Sequence, residues 1–335
     1  MTTHLTPLLP VPGRAGERTR PAGKSERGAL RFGLLGPVTA DRGGTPLNLG
    51  PPQRRALLLR LLVAHGRPVS MDLLCEDLWM GRPPAGAVSA VHAHISRLRR
   101  ELEPRSAGPA PDRVLTAGPT GYALRVPEHA LDSVRFERGL ERTRDLLNEG
   151  RRAVARAELE RTLRIWRGPA LVDAAEHPFA VREIARLDEI RLTAQELRVM
   201  VLLADGEHGP AVAAARELTS QEPLRETGWE LLMRALYLAG RPAEAVRQYE
   251  EVRRVLLAEL GLEPGPNLRE LCRAVRQHRT AAVLGPYAES PETDRSPGRP
   301  DSAPGPSRTT GTSTSGQGTQ GGLHKNSYGL RNVDG

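Results

Sequence analysis

The spacing of apolar residues changes twice between positions 30 and 126, from a strand-like to a helical pattern and back to a strand-like one. The run LRFGLLGPVTA (30–40) predicts a strand, DRGGT (41–45) a turn at its Gly-Gly pair, and PLNLG (46–50) a second short strand. Helical spacing follows, until VLTAGPTGYALRV (114–126) predicts two short strands around a glycine-bearing turn. The predicted order of elements is therefore sheet, helices and hairpin.

Three helices are predicted between these strands. The first is QRRALLLRLLVAH (53–65), which follows two prolines suited to a first helical turn. Ser70 is the expected N-cap of the second helix, SMDLLCEDLW (70–79). This second helix is expected to bury Leu73, Leu74, Leu78 and Trp79. The third helix is AVSAVHAHISRLRRELE (87–103).

The third predicted helix has two different faces. Its apolar residues advance by 3, 4, 3 and 4 positions and form one buried stripe, made of Val88, Val91, Ile95, Leu98 and Leu102. The opposite face carries Ala90, Ala93, Arg97 and Arg100, flanked by Ser89 and Ser96, with His92 and Arg99 nearer the seam. Small side chains let a helix approach the DNA major groove closely, and arginine can bond guanine bidentately. An ordinary solvated face is the competing interpretation, but the short helix before it and the hairpin after it favour a helix-turn-helix with a wing.

Residues 131–278 are predicted to be helical, because Leu, Ala and Val recur at helical spacing. The predicted breaks lie at Gly150, Gly168-Pro169, Gly206, Pro223, Gly240 and Gly261. Gly206 and Gly240 are 34 residues apart in similar surroundings, LLADGEHGPAVAAAR (202–216) and YLAGRPAEAVRQYEE (237–251). A helix–turn–helix period of 34 residues is typical of tetratricopeptide repeats, and an unrelated helical bundle is the alternative.

Length and charge divide the chain further. A length of 335 residues is consistent with about two domains. The net charge is +8, and residues 1–126 alone carry +9, as expected of a polyanion-binding part joined to a neutral body. The Pro/Gly-rich segments 1–29 and 281–335 are predicted to be a disordered leader and tail. We therefore expect an α+β winged helix over 30–126, which folds alone, an all-α tetratricopeptide-like domain over 127–280, and disordered termini. The tail from Ala281 is expected to be dispensable for folding and for DNA binding.

Several chemistries find no support in the sequence. Cys75 and Cys272 are the only cysteines, which excludes a disulfide framework and a cysteine-based zinc site; both are predicted to be core thiols. His92 and His94 point about 200° apart on a helix and are not a metal pair. No catalytic constellation or cofactor motif is present, so we expect neither an enzyme nor a cofactor. No apolar run is long enough for a membrane helix, and no signal peptide is recognisable, so we expect a cytoplasmic protein without membrane contact.

Two known groups of proteins resemble this sequence. Residues 30–126 resemble an OmpR-type winged helix in QRRALLLRLL (53–62), VSMDLLCEDLW (69–79), the prolines at 83–84, VHAHISRLRREL (91–102) and GYALRV (121–126). The helical region resembles the bacterial transcriptional activation domain in LDSVRFERGLER (131–142), IWRGPAL (165–171), LDEIRLTAQE (187–196) and GLEPGPNLREL (261–271). The two-domain arrangement resembles the small type of Streptomyces antibiotic regulatory protein.

The resemblance implies a DNA-binding activator of a secondary-metabolite (antibiotic) gene cluster. Such a protein binds tandem promoter repeats in double-stranded DNA, self-associates there, and contacts RNA polymerase holoenzyme through its sigma factor or alpha subunit. It would work on the nucleoid in the cytoplasm. The absence of a GxxxxGK[ST] motif and of a receiver-domain pattern leads us to expect neither an ATPase domain nor phosphorylation control.

The expected contact residues fall into three groups. The recognition helix is expected to touch DNA through Ser89, His92, Ala93, Ser96, Arg97, Arg99 and Arg100. Backbone or wing contacts are expected from Arg54, Arg55, Arg113, Thr116 and Thr120, with the turn 118–121 as the wing tip. The loop expected to face polymerase is Met80, Gly81 and Arg82, where the family often has a Gly-acidic pair, and His94 stands where it often has a bulky aromatic. Two other functions remain open from the sequence: a repeat scaffold whose winged helix mediates protein contacts only, and a winged-helix repressor.

Overall fold

The computed structural model describes residues 28–103 and 113–284. Most of the predicted leader and tail, and the loop 104–112, lie outside the described residues. Within the described ranges, no helix has both the length and the apolar character needed to cross a membrane.

A small antiparallel sheet opens the described chain. Its strands are β1 (Leu30–Gly33), β2 (Thr39–Arg42) and β3 (Thr45–Pro46), in the order β1-β2-β3. Leu30 pairs with Arg42 and Gly33 with Thr39. The prediction of a single strand over 30–40 is therefore wrong. The chain leaves the sheet after Gly33 because its next backbone N–H groups bond to the helical domain instead of to a neighbouring strand.

The three helices and the hairpin form as the sequence predicts. Their bounds are α1 (Pro52–Val63), α2 (Met71–Leu78), α3 (Ala87–Leu102), β4 (Leu115–Gly118) and β5 (Gly121–Leu124). The predicted cap of α2 is confirmed, since Ser70 Oγ accepts a hydrogen bond of 3.2 Å from the backbone N–H of Leu73.

Two predicted core residues lie on the surface instead. Leu73 is 39% exposed and Val88 is 46% exposed, and Trp79 is only half-buried. On α3 the buried stripe begins at Ala87, one residue earlier than predicted, and continues through Val91, Ile95, Leu98 and Leu102. Because residues one apart on a helix differ by about 100°, burying Ala87 turns Val88 out to solvent.

The rest of the described chain is helical, with antiparallel neighbours joined by short turns as in tetratricopeptide repeats. The helices are α4 (Asp132–Asn148), α5 (Arg152–Leu163), α6 (Pro178–Ala204), α7 (His208–Gln221), α8 (Glu226–Leu238), α9 (Pro242–Leu260), α10 (Pro266–Arg276) and α11 (Thr280–Leu284). Each predicted break falls between helices, and Gly206 and Gly240 both have φ in the left-handed region, where glycine is favoured.

The folded region extends past the predicted start of the tail. Val283 is fully buried in the core around α8 to α10, and its carbonyl oxygen accepts a hydrogen bond from Arg234. Residues 281–284 thus belong to the helical domain, because a buried valine completes its last core layer. This is at odds with our expectation that everything from residue 281 is dispensable for folding.

The described residues form two hydrophobic cores, and the boundary between these cores does not lie at residue 126. The first core joins the winged helix to α4, α5 and most of the length of α6, from Ala180 to Val201, and includes Phe32 and Phe136. The second core lies among the end of α6 and α7 to α11. Helix α1 packs directly against α6 and against the 3-10 turn Val172–Ala174. The winged helix therefore shares its core with the first helices of the helical domain.

The buried carboxylate of Asp132 holds this junction together. Its Oδ1 accepts a hydrogen bond of 2.7 Å from the N–H of Leu34, and its Oδ2 one of 3.2 Å from the N–H of Leu35. Arg167 lies 3.2 Å from the same Oδ2 and also donates to the carbonyl oxygen of Pro37 at 2.8 Å. Asp132 is only 2% exposed, so these bonds replace water for a charge taken out of solvent.

A second carboxylate repeats the arrangement nearby. Asp173 accepts a hydrogen bond of 2.7 Å from the N–H of Val38 and one of 2.8 Å from Arg55 Nε on α1. Separating residues 30–126 from the helical domain would leave these buried donors without acceptors and expose the shared core. The contacts are thus at odds with our expectation that residues 30–126 fold alone.

Asp132→Asn is expected to lower the free energy of unfolding by about 1–3 kcal/mol, because an amide cannot accept from both Leu34 and Leu35. Urea unfolding monitored by circular dichroism measures the change. Asp145→Asn on the exposed face of the same helix is the matched control and should change little. Equal effects of the two substitutions would contradict the role given to Asp132.

Gly139→Ala is expected to destabilise the α4–α5 pair by about 1–3 kcal/mol. A Cβ at position 139 would lie 2.3 Å from Thr162 Oγ1, which is itself buried between the two helices. Gly209→Ala on α7 is the control, since its Cβ would meet nothing within 4 Å and should stabilise the helix slightly. Thermal unfolding of both variants checks the difference, and a loss of stability in Gly209→Ala alone would contradict it.

Candidate nucleic-acid interface

Helix α3 is held rigidly by its buried side. Val91 and Leu98 are fully buried, and Ile95 and Leu102 nearly so, in the core that α3 shares with α1 and α2. Close-packed side chains of this kind leave a helix little freedom to shift. The residues on the opposite side are therefore presented at fixed positions.

The outer face of α3 is exposed along its length. It consists of Val88, Ser89, His92, Ala93, Ser96, Arg97 and Arg100. All of these except Val88 are in the predicted recognition set; Val88 was missed because the 3-4 spacing assigned it to the buried stripe. A valine at the start of such a face can make apolar contact with a thymine methyl group.

The guanidinium groups of this face are not neutralised. Among the described residues of the winged helix, only Arg55 and Arg60 form ion pairs, so Arg97 and Arg100 keep their charge available. The helical domain differs, because many of its arginines are paired with glutamates, as Arg225 is with Glu196 at 2.6 Å. Available cations on one exposed face produce a local positive potential.

The hairpin β4–β5 is fastened to α3 through Tyr122. The Tyr122 hydroxyl lies 3.0 Å from His92 Nδ1, and the Arg99 guanidinium stacks over the Tyr122 ring at 5.9 Å. Arg99 Nε also donates to the carbonyl oxygen of Leu115 at 3.1 Å. Arg99 is therefore half-buried as a brace between helix and hairpin, and we leave it out of the proposed base-reading set. Tyr122 was missed from the sequence, although an aromatic in a short strand is a common packing signal.

The hairpin is also bonded to the segment that precedes α2. Val69 and Tyr122 exchange two backbone hydrogen bonds, of 2.8 and 2.9 Å. Gly121 has φ of +126°, and a Cβ there would lie 2.0 Å from the carbonyl oxygen of Val69. Only glycine fits this close approach. The hairpin is thus bonded both to the segment before α2 and to α3.

The other predicted backbone contacts fall into two sets. Thr120 at the tip and Arg113 at the base of the hairpin are exposed. Thr116 is half-buried and donates to the carbonyl oxygen of Ala123 at 3.3 Å. Arg55 is engaged with Asp173 and with the carbonyl oxygen of Gly50, and the Arg54 guanidinium lies against Gly50. Arg54 and Arg55 therefore support the fold, and they too are left out of the proposed DNA contacts.

The α2–α3 loop has an unusual backbone. Met80 and Gly81 have φ of +51° and +79°, and Met80 is 54% exposed. The N–H of Gly81 bonds to the carbonyl oxygen of Glu76 at 2.9 Å, which fixes the turn. A non-glycine residue in the left-handed region marks a conformation that its surroundings impose. The loop presents Met80 and Arg82 to solvent in one defined shape.

His94 is a half-buried histidine on α3. Burial, together with repulsion from Arg54 and Arg97, lowers the pKa of His94 below its ordinary value. Its Nε2 lies 3.4 Å from Gln53 Oε1 on α1. The ring therefore packs as a neutral group between α1 and α3.

The described residues offer no metal centre, since no group of three or more His, Cys, Asp or Glu side chains within 28–103 and 113–284 could hold an ion. Cys75 and Cys272 are both free and buried, as predicted for core thiols. Burial raises the pKa of both thiols, which keeps them protonated and unreactive.

Two helices joined by a turn, with the second helix exposed and contacted by a β-hairpin, are the arrangement of a winged-helix protein. Comparison with known families agrees with this class. Residues 44–124 match the family described as "Transcriptional regulatory protein, C terminal", and residues 131–276 match the "Bacterial transcriptional activator domain".

Several known proteins are similar to both parts together. Regulatory protein AfsR of Streptomyces coelicolor is 41% identical over 272 residues, covering 81% of this chain and 26% of AfsR. Regulatory protein DnrI of Streptomyces peucetius is 33% identical over 257 residues, covering 73% of this chain and 92% of DnrI. A structure of Mycobacterium tuberculosis EmbR in complex with a low affinity phosphopeptide has a TM-score of 0.69 and 34% identity, covering 77% of this chain and 69% of that one.

The chain belongs to the Streptomyces antibiotic regulatory protein family, as its motifs indicate. Both family descriptions are those of transcription regulators, and so are the names of EmbR and of RedD from Streptomyces coelicolor, so the family of this chain is one of transcription regulators and not of enzymes. The chain spans only about a quarter of the length of AfsR and 62% of that of Mycobacterium bovis EmbR.

His94→Gln is expected to flatten the pH dependence of stability below neutrality. The pKa of an unfolded histidine is about 6.5, and that of folded His94 is lower. The unfolded state therefore binds the proton more readily, and the wild-type protein loses stability as pH falls through that window. Urea unfolding at a series of pH values from neutral to mildly acidic measures this effect. His129→Gln at an exposed position is the control, and an unchanged slope in His94→Gln would rule the assignment out.

Proposed function

We propose that this chain is a sequence-specific DNA-binding transcriptional activator, which controls a secondary-metabolite (antibiotic) gene cluster from the nucleoid. The observation that carries the proposal is the outer face of α3, which is exposed, rigidly backed and rich in unpaired guanidinium groups. A repeat scaffold would have no need for uncompensated positive charge on a helix next to a wing.

The order of side chains along α3 suits a major groove. Ala93 and Ser89 are small and let the first half of the helix approach base edges closely. Arg97 lies one turn after Ala93 and reads a base edge, whereas Arg100 at the end of the helix grips phosphate. Thr120 and Arg113 on the hairpin add phosphate or minor-groove contacts, which position the protein without reading sequence.

The other two surfaces have separate tasks in this proposal. The exposed loop of Met80, Gly81 and Arg82 contacts RNA polymerase holoenzyme at its sigma factor or alpha subunit. The helical domain, in which most cations are already paired, promotes self-association on tandem promoter repeats rather than gripping phosphate. Because Asp132 on α4 and Asp173 in the 3-10 turn Val172–Ala174 both bond to the winged helix, self-association of the helical domain would set the spacing of the DNA sites.

Arg97→Ala is expected to weaken binding to a cognate duplex by about 1–3 kcal/mol, with a much smaller loss on a scrambled duplex. Arg100→Ala should weaken both equally and lower the slope of log affinity against log salt by about one. The cognate duplex is first selected from a random library with the full chain. Titrations at several salt concentrations then give both quantities.

Arg144→Ala provides the matched control, because Arg144 is an exposed arginine on α4 of the helical domain. It should bind both duplexes as the wild-type chain does. Equal losses of Arg97→Ala on cognate and scrambled DNA would refute its role in base reading. If the full chain retained no duplex above background at low salt, the protein would be a scaffold and the proposal would fail.

A further inference from the structure

One histidine on the outer face of α3 differs from its neighbours, because the hairpin holds its ring. His92 is exposed, and its Nδ1 lies 3.0 Å from the Tyr122 hydroxyl on β5. The two rings meet edge-to-face, with their centroids 6.1 Å apart. One ring nitrogen of His92 is therefore engaged by the protein, whereas no described residue bonds to Nε2, which is left for a ligand.

The direction of this hydrogen bond decides what Nε2 presents. A neutral imidazole has one donor nitrogen and one acceptor nitrogen, and the bond made by one of them sets the role of the other. A phenol hydroxyl is a stronger donor than an imidazole N–H, and an imidazole nitrogen is a stronger acceptor than a phenol oxygen. The Tyr122 hydroxyl therefore donates to Nδ1, and the ring proton of His92 lies on Nε2.

Arg99 strengthens the Tyr122 hydroxyl as a donor. Its guanidinium stacks over the Tyr122 ring at 5.9 Å, and its Nε donates to the carbonyl oxygen of Leu115 at 3.1 Å, which fixes it there. A cation over an aromatic face draws electron density from the ring, which makes the phenol hydroxyl more acidic. Arg99, Tyr122 and His92 thus form a chain of contacts from the hairpin to the outer face of α3, in which each group orients the next.

The neighbours of His92 leave it as the longest side chain on its side of α3. Ser89 and Ser96, three positions before it and four after it, lie on the same side of the helix and are exposed. A serine hydroxyl can donate or accept, so it bonds to either kind of base edge. A nitrogen that can only donate is selective. It bonds to the keto oxygens of guanine and thymine, but not to the amino groups that cytosine and adenine carry in the same place.

We propose that His92 is a specificity-determining residue, which reads a keto group (guanine O6 or thymine O4) through its Nε2–H, and that Tyr122 is the positioning residue that fixes this donor. The inference rests on the proposed function, because it gives one contact of the DNA-reading face its chemical preference. Without the Tyr122 hydroxyl the ring can carry its proton on either nitrogen, so Nε2 can donate to a keto group or accept from an amino group. The preference would then be lost although His92 stayed in place.

The direction of the hydrogen bond is tested without DNA. The nine histidines of the full chain are labelled with 15N, and His92 is assigned through His92→Ala. Nuclear magnetic resonance at about pH 8, where ordinary histidines are neutral, shows which ring nitrogen carries the proton. We expect the Nε2–H form alone in the wild-type chain and a mixture of both forms in Tyr122→Phe. The Nδ1–H form in the wild-type chain, or an unchanged single form in Tyr122→Phe, would overturn the inference.

Base reading is tested on the duplex selected with the full chain, in which each base pair in turn is replaced by the other three. At one base pair of each repeat, the wild-type chain should bind guanine or thymine at least about tenfold more tightly than adenine or cytosine. This preference should vanish in His92→Ala and fall to about threefold or less in Tyr122→Phe. Tyr249→Phe, at a half-buried tyrosine of α9, is the matched control and should keep the full preference.

The melting temperature of Tyr122→Phe should equal that of the wild-type chain, because the substitution keeps the ring and its contact with Arg99. The inference is overturned if no base pair shows a preference that depends on His92, or if Tyr122→Phe keeps the full preference. If the full chain selected no duplex, the proposed function would fail and the base-reading role of His92 with it. The ring proton measured without DNA distinguishes that result from a failure of the Tyr122 hydrogen bond itself.

Discussion

The buried carboxylate of Asp132 is the contact on which the arrangement of this protein depends. It lies at the first residue of α4 and accepts hydrogen bonds from two backbone N–H groups of the winged helix. The Asp132 carboxylate is only 2% exposed, so it needs several hydrogen-bond donors to replace water. The N–H groups of Leu34 and Leu35, which have left the sheet, in turn need an acceptor. Each part of the protein therefore completes the other, which explains why one core runs across the boundary between the two family matches.

This shared core gives the exposed face of α3 its mechanical support. The buried stripe of α3 packs on α1, α1 packs on α6, and Asp173 ties α1 to the helical domain through Arg55. The outer face of α3 therefore has a fixed direction relative to the helical domain. In the self-association on tandem repeats that we propose, this fixed direction would convert contacts between helical domains into spacing along DNA.

Local signals predicted much of the architecture. Helix starts at proline and serine, helix ends at glycine, and the hairpin around residues 118–121 all depend on neighbouring residues, and all are present in the structure. The exposed positions of Ser89, Ala93, Arg97 and Arg100 follow from helical periodicity in the same way. Val88 was misassigned because a 3-4 spacing fits two adjacent stripes equally well until the neighbouring helices select one.

The sequence by itself determined which segments are helices, which helix carries arginines on its outer face, and where the basic charge accumulates, because these properties depend on residues close in the chain. Only the tertiary structure decided the tasks of Arg55, Arg99 and Trp166. Arg55 meets an aspartate 118 positions away, Arg99 stacks on Tyr122, and the Trp166 ring packs edge-to-face on Phe136 of the shared core. An arginine has the same pattern in a sequence whether it reads a base or braces a hairpin, and its partner in space makes the difference.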